Sequence, residues 1–432
     1  MRVSIRVLAG VPGLLVGARC AGANGYPTSR SGNPNIRTPV RRIRPISAAA
    51  RKHGTSPGFR LPLYGALIFA GIRVLSLATA AFLLPRGEFH ELHYSLQHLI
   101  RSWDSGYYLA IAVHGYSYEP GNIHHNAIFA WFPGYPAAVH ATAWIPGVSP
   151  VQAGLGMTIA AGLAAAWGLT RLGMTLTGDR RISLLMTALW AVAPGSIVLS
   201  MLYSEALFCA LAIWSLVALM EQRWLTAAGL TILAGTVRST ALALVAAVTF
   251  AALPALIRAA RARQHSATWW RPAAALMLAP LGLLGYWGYV AGAVHRPDGW
   301  FWVEKNVHNG FDWGHSTMLA LKNAIINGPT PSKALILLVI AAAATLAACS
   351  LAERMPVYLH AYTLVIVLTA LATGPGYLGS KPRFLLPAML LGLPLARLLA
   401  PARTWVLIPL LAVLAAASTG FSLYLMSVGW PP

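Results

Sequence analysis

The sequence predicts an all-α, polytopic membrane protein, and three observations carry that prediction. Of its 432 residues, 57% are hydrophobic and 10% charged, whereas a soluble domain carries roughly 25% charged residues. Apolar runs long enough to cross a bilayer, about 20 residues each, recur along the chain from residue 61 onward. The Lys and Arg residues fall in the short stretches between those runs and in the N-terminal tail, as membrane orientation requires. The formal charge of +21 is therefore a topology signal and not a nucleic-acid surface, and no nucleic-acid partner is expected. The three cysteines, Cys20, Cys209 and Cys349, are scattered and give no disulfide framework.

Residues 1–60 hold eleven of the 32 Lys and Arg residues and no acid. They read as a disordered basic tail on the cytoplasmic side, outside the membrane domain of 61–432. Spans are expected at 61–84, 151–177, 182–200, 204–221, 273–294, 333–350, 356–373, 383–399 and 404–427. The segment 224–256 is too long for one helix and is interrupted at Arg238-Ser239-Thr240. It reads as two short helices meeting at a polar point, which is tolerable only where protein or a water-filled cavity covers the backbone. The total is about eleven spans.

Segment 127–147 is apolar, but Phe132-Pro133-Gly134-Tyr135-Pro136 breaks it. Placing it at the outer interface puts Arg171, Arg180, Arg181, Arg223, Arg258, Arg354, Arg397 and Arg403 on the same, inner side. Counting it as a span scrambles that pattern. With this topology, Asp179, Glu221 and Glu353 lie inside. The other eight of the eleven acids and most histidines lie outside or at the outer membrane edge, chiefly in the loops 85–150 and 295–332. A scaffold has no reason to gather its acid–base groups on one face.

The first outer loop, a long one with interfacial helices, contains Trp103-Asp104-Ser105-Gly106-Tyr107-Tyr108 and then His114-Gly115-Tyr116. Rings beside a carboxylate can stack on a sugar while the carboxylate takes a hydroxyl proton. Alternatively, Asp104 caps an interfacial helix starting near Ser105. Phe129–Pro136 is either an aromatic belt or one wall of a cleft. Glu205 opens a span at its outer end, as a first-turn acid or as a partner for substrate or Arg238. Arg238 at membrane depth is a functional candidate by default. Lys381 and Arg383 follow a Gly- and Pro-rich stretch and suit a phosphate or a lipid headgroup. The loop 297–315 mixes Trp302, Glu304, His308 and Asp312 in the manner of a carbohydrate cleft. No standard zinc spacing, Walker loop or dinucleotide fingerprint is present, so no metal site is expected and an activated sugar would arrive on a lipid.

Together these motifs resemble the PIG-V-like mannosyltransferases of the GT-C glycosyltransferase superfamily. The resemblance rests on Trp103–Tyr108 with His114-Gly115-Tyr116, Phe129–Pro136, Leu202–Phe208, Ala234–Thr240 and Pro382–Pro387, in family order. Ser239 and Ala241 replace the commoner Pro and Gly, and Gly134 a commoner Leu. The resemblance implies a GT-C-type bundle and an inverting transfer of mannose from polyprenyl-phosphate mannose to a glycolipid, glycan or protein acceptor. The reaction would occur outside a bacterial cytoplasmic membrane and require no cofactor or divalent metal. It maps the family's essential acid onto Asp104, the donor phosphate onto Arg238, Lys381 and Arg383, and the sugar or acceptor cleft onto Trp103, Tyr107, Tyr108, His114, Tyr135, Glu205, Trp302 and His308. The alternatives are another lipid-linked sugar, or a lipid or sugar transporter.

Overall fold

The computed structural model describes residues 59–84, 92–261, 269–306 and 310–431, without the side chains of 92–95. Residues 1–58 and His308 lie outside the described residues. Among those described, the architecture is helical, with one isolated bridge between Phe311 and Thr373. Six helices are long and apolar enough to cross a membrane, and four shorter apolar ones accompany them.

The first helix, α1 (Arg60–Leu83), is followed by α2 (Leu92–Arg101), α3 (Asp104–His114), α4 (Ile123–Asn126) and α5 (Gly134–Ala143). None of α2 to α5 is long enough to span. Next, α6 (Pro150–Thr177) opens with a capping box between Ser149 and Gln152 and Pro150 in its first turn, and closes on left-handed Gly178. The chain continues through α7 (Arg180–Ala191), α8 (Glu205–Met220) and α9 (Trp224–Val237) to α10 (Leu242–Arg261). The remainder comprises α11 (Trp270–Leu278), α12 (Leu281–Ala293), α13 (Gly299–Asn306), α14 (His315–Asn327), α15 (Pro331–Leu351), α16 (Val357–Ala372), α17 (Lys381–Phe384), α18 (Gly392–Leu399) and α19 (Thr404–Ser427).

The core is built around α8, which packs against α6 and α9. Most of its residues, from Glu205 and Phe208 through Ile213 and Leu216, are buried, and a narrow stripe of Leu207, Leu211 and Trp214 at helical spacing stays partly exposed. The α9–α12 crossing is closer still. A Cβ on Gly282 would fall onto the Ile232 carbonyl, and one on Gly235 would come within 2.7 Å of the Leu283 nitrogen.

Two predicted spans are interrupted instead of continuous. The run 182–200 ends as a helix at Ala191, because Pro194 and Gly195 (φ +80°) follow, and resumes as a 3-10 turn over Ser196–Ser200. The run 383–399 divides around Pro387 into α17, a 3-10 turn at Met389–Leu391, and α18. The break at Arg238 is present as expected: α9 stops at Val237, Arg238 is extended, and a 3-10 turn over Ser239–Ala241 leads into α10.

Backbone freed at such breaks must find partners away from water. Trp190 donates to the Leu386 carbonyl at 3.1 Å and Tyr362 to the Pro387 carbonyl at 2.8 Å. Ser418 donates to the Ala193 carbonyl at 2.7 Å. Arg73, buried inside α1, donates to the Ala191 and Ser196 carbonyls and to Ser196 Oγ. It has no acidic partner among the described residues.

Six of the eight ion pairs among the described residues fall into two sets. Arg171 and Arg223 pair with Glu221, and Arg397 with Glu353, all groups placed inside by the charge pattern. Asp104, Glu205, Arg238 and Arg383 pair among themselves. Among the described residues no pair mixes the sets, which fits the two-sided topology.

The α9–α12 crossing leaves no room for a side chain. Gly282→Ala is expected to lower the melting temperature of the detergent-purified protein by an overpacking cost of about 1–3 kcal/mol, whereas Gly285→Ala, with open space around it, leaves it unchanged. Equal melting of both variants would contradict the close crossing.

Candidate functional site

The three helix breaks and the start of α3 converge on one cluster of charges. Asp104 is the first residue of α3, and it follows Trp103, which is held at φ +57°. That conformation costs a non-glycine residue of order 1–3 kcal/mol, and it turns the chain so that Asp104 points inward. Asp104 Oδ2 lies 2.7 Å from Arg383 Nη2, with 22% of the Asp104 side chain exposed against 4% for Arg383. The Asp104 backbone N–H donates to the Tyr203 hydroxyl at 3.3 Å. The alternative in which Asp104 caps a helix is therefore not adopted: its carboxylate is committed to Arg383.

Glu205, 1% exposed, opens α8. Its Oε1 lies 2.7 Å from Arg238 Nη1 and 3.9 Å from Arg383 Nε. Arg238 also donates to Ser204 Oγ at 3.0 Å, and Ser204 Oγ shares a hydrogen bond of 2.7 Å with the Tyr108 hydroxyl. Both guanidinium groups lie over the Phe384 ring, at 5.6 Å for Arg238 and 5.2 Å for Arg383. Arg383 also lies 5.2 Å from the Tyr203 ring centre. Two acids and two arginines thus form a charge-neutral quartet on an aromatic floor.

The charges match, but the hydrogen bonds do not. Arg383 Nε and Nη1 are buried without an acceptor, and both Glu205 oxygens lack a hydrogen-bond donor. Unmet donors on a buried arginine are costly. Two such donors beside a carboxylate that retains some exposure make a receptor for an oxyanion.

The other candidates separate into neighbours and bystanders. Tyr107 stacks on Trp131 with ring centres 3.7 Å apart, and Trp103 is exposed. Tyr135 is buried, bonded to Gly154 O and Thr158 Oγ1 at 3.1 Å each, and meets Tyr108 edge-on. It holds Tyr108 from behind and does not line the opening. Gly134, at the start of α5, lies so close to the end of α9 that a Cβ would be 2.6 Å from Thr236 Oγ1. The aromatic stretch is thereby fixed against the turn that carries Arg238.

His114 is exposed at the far end of α3, about 15 Å from Asp104 along the axis at 1.5 Å per residue. Trp302 carries the Arg296 guanidinium 5.3 Å over its ring, and Arg296 in turn pairs with Asp298. Lys381 is fully buried. Its ammonium bonds the Ala370, Leu371 and Thr373 carbonyls and Thr373 Oγ1 at 2.9–3.2 Å. It caps the end of α16, so Arg238 and Arg383 are left as the cations of the cluster. Burial lowers the Lys381 ammonium to about 8, against the opposing charge of Asp312. Asp312 itself accepts from the Gly314 and Ser316 N–H groups at 2.9 and 2.8 Å and so caps α14.

Sequence reasoning did not single out Tyr203, Ser204, Phe384 or Tyr377. The first three stand inside the quoted motifs, next to residues that were chosen. Tyr377 donates to Glu304 Oε2 at 3.2 Å and packs on Phe384 with ring centres 5.2 Å apart. Among the described residues no three His, Cys, Asp or Glu side chains gather where a metal could be held.

Removing one member of a buried pair strands the other, at a cost of about 3–5 kcal/mol. Glu205→Ala is therefore expected to lower the melting temperature sharply, and Glu205→Ala with Arg238→Met to recover part of the loss. If the single variant melts with the wild type, the pair does not hold the site.

The chain is similar to known proteins over this same region. The family model described as Mannosyltransferase (PIG-V) matches residues 77–307, which include Asp104, Glu205, Arg238 and Glu304. A Mus musculus protein, GPI alpha-1,6-mannosyltransferase 2, is 31% identical over 171 residues, or 37% of this chain. The aligned region spans 33% of that relative's length. With more than half of its residues matched by the family model, the chain belongs to the PIG-V mannosyltransferase family.

Proposed function

We propose that the protein is an inverting, GT-C-type mannosyltransferase that takes mannose from polyprenyl-phosphate mannose, on the extracytoplasmic side of the membrane. The observation that carries this reading is the Arg383–Asp104 pair, with two unmet guanidinium donors beside it. The donor phosphate occupies those donors and Arg238. As it draws Arg383 toward itself, Asp104 loses its partner and becomes free to act as a base.

The bond changes are simple. An acceptor hydroxyl attacks the anomeric carbon from the face opposite the phosphate, while Asp104 takes the hydroxyl proton. The bond from the anomeric carbon to the phosphate oxygen breaks, and its electrons leave with polyprenyl phosphate. Arg238 and Arg383 hold the growing charge, a contribution of about 3 kcal/mol for each well-placed donor. Inversion at a β-linked donor gives an α-mannoside, the configuration in the name of the mouse relative. Trp103, Tyr107 and Trp131 form an aromatic rim on which a sugar ring can stack. The acceptor is a glycolipid, glycan or protein, and the donor and acceptor are the protein's partners together with membrane lipid.

The test is transfer by the purified full chain in nanodiscs, with polyprenyl-phosphate mannose and a membrane lipid extract. Wild type is expected to form mannosylated product and Asp104→Asn to lose at least 100-fold in rate, as general bases contribute about 10²–10⁴-fold. Undiminished transfer by a folded Asp104→Asn would remove Asp104 from the chemistry. Because arginines hold the phosphate, transfer is also expected to survive excess EDTA. Loss on chelation that magnesium or manganese restores would assign that charge to a metal.

A further inference from the structure

Glu304 is a site carboxylate without a cation. Asp104 and Glu205 each face an arginine, whereas Glu304 on α13 pairs with no Lys, Arg or His among the described residues. Its hydrogen-bond partner among them is Tyr377, whose hydroxyl donates to Oε2 at 3.2 Å. Tyr377 stands in the turn Pro375–Tyr377 and packs edge-on against Phe384, the ring beneath both arginines. Two rings, Tyr377 and Phe384, thus lead from Glu304 to the Arg383–Asp104 pair, and both Glu304 and Tyr377 feel the charge of Asp104.

Other titratable groups near Glu304 do not neutralise it. Tyr286 on α12 lies within its electrostatic reach but is another acid. His124 and His125 on α4, which packs on α13, are exposed, and His125 turns to Glu119 and Ser117. Lys305, the next residue, is exposed. Burial, opposed by the Tyr377 bond and reinforced by the charge of Asp104, pushes Glu304 up to about 8. Its protonated form can both donate and accept a hydrogen bond.

We propose that Glu304 and Tyr377 form a hydroxyl-binding pair that positions the donor's sugar ring beside Asp104. This rests on the transferase reading above. A neutral acid suits the position because it can grip a sugar hydroxyl without competing with the donor phosphate for Arg383. A second carboxylate here would repel that phosphate. Glu304 is a positioning residue, and no bond to the reacting carbon passes through it.

The sign of the pH dependence follows from protonation. The binding form of Glu304 is present below about 8 and is lost as pH rises through that value. Transfer by wild type should therefore fall between pH 7 and 9. Glu304→Gln, which keeps a donor and an acceptor and does not titrate, should match wild type at pH 7 and hold its rate to pH 9. Lys381 also titrates near 8, but it is common to both proteins, so the difference between them reads Glu304.

Affinity supplies the second readout, measured on the full chain in nanodiscs with polyprenyl-phosphate mannose and with polyprenyl phosphate alone. Glu304→Leu is expected to weaken the first by about tenfold, the loss of one good hydrogen bond, and to leave the second unchanged. Tyr377→Phe should show the same selective loss, to a smaller degree. Equal weakening of both lipids, no weakening of either, or a Glu304→Gln variant as impaired as Glu304→Leu overturns the inference while leaving the transferase reading intact. If wild type itself binds the two lipids equally and transfers no mannose, the transferase reading fails, and the hydroxyl-binding pair with it.

Discussion

Two arginines buried in an apolar bundle set the terms for the rest of this structure. Arg238 and Arg383 must each be held against a desolvation cost of several kcal/mol, and the protein answers with Glu205, Asp104 and the Phe384 ring. The arginines and their partners come from four distant parts of the chain. Uninterrupted helices would carry the side chains past one another. The helix stops at Ala191, Val237 and Phe384 leave backbone at membrane depth, and Trp190, Tyr362, Ser418 and Arg73 take up the carbonyls exposed on two of the broken segments. The costly backbone and the costly charges occur in the same place because each makes the other possible.

Much of this was legible in the sequence. The spans at 61–84, 151–177, 333–350 and 404–427 coincide closely with α1, α6, α15 and α19, since length and hydropathy decide them. The break at Arg238 was visible because a charged residue and two hydroxyls interrupt an apolar run. The breaks at Pro194 and Pro387 were not, because their neighbours are apolar and a window average passes over them. This is why about eleven spans were expected where six long helices and four shorter ones are found among the described residues. Asp104, Glu205, Arg238 and Arg383 were all named as candidates, but their pairing depends on contacts 33 to 279 residues apart and has no local signature.

Lys381 shows the opposite case. A basic residue beside Arg383 after a Gly- and Pro-rich stretch reads as a second phosphate ligand. The fold turns the two side chains apart, one to the end of α16 and one to Asp104. Positions two apart in a helix lie on nearly opposite sides, so the run Lys381-Pro382-Arg383 cannot say which cation joins the cluster. Glu304 was one of several acids in a long loop, and only its lack of a cation and its contact with Tyr377 distinguish it.

Arg73 has a consequence of a different kind. Its donors are met by the turn between α7 and α8, so it reads first as a bracket for that turn. Carbonyl dipoles solvate a guanidinium without cancelling its monopole. The Asp104–Glu205–Arg238–Arg383 quartet sums to zero, and Arg73 adds a positive charge that no ion pair balances among the described residues. Gly195 in the same turn lies against the Arg383 backbone, where a Cβ would be 3.0 Å from its nitrogen. In a medium that screens poorly, the resulting potential extends to the cluster. The cluster is thus biased toward anions by a residue that pairs with none of its side chains.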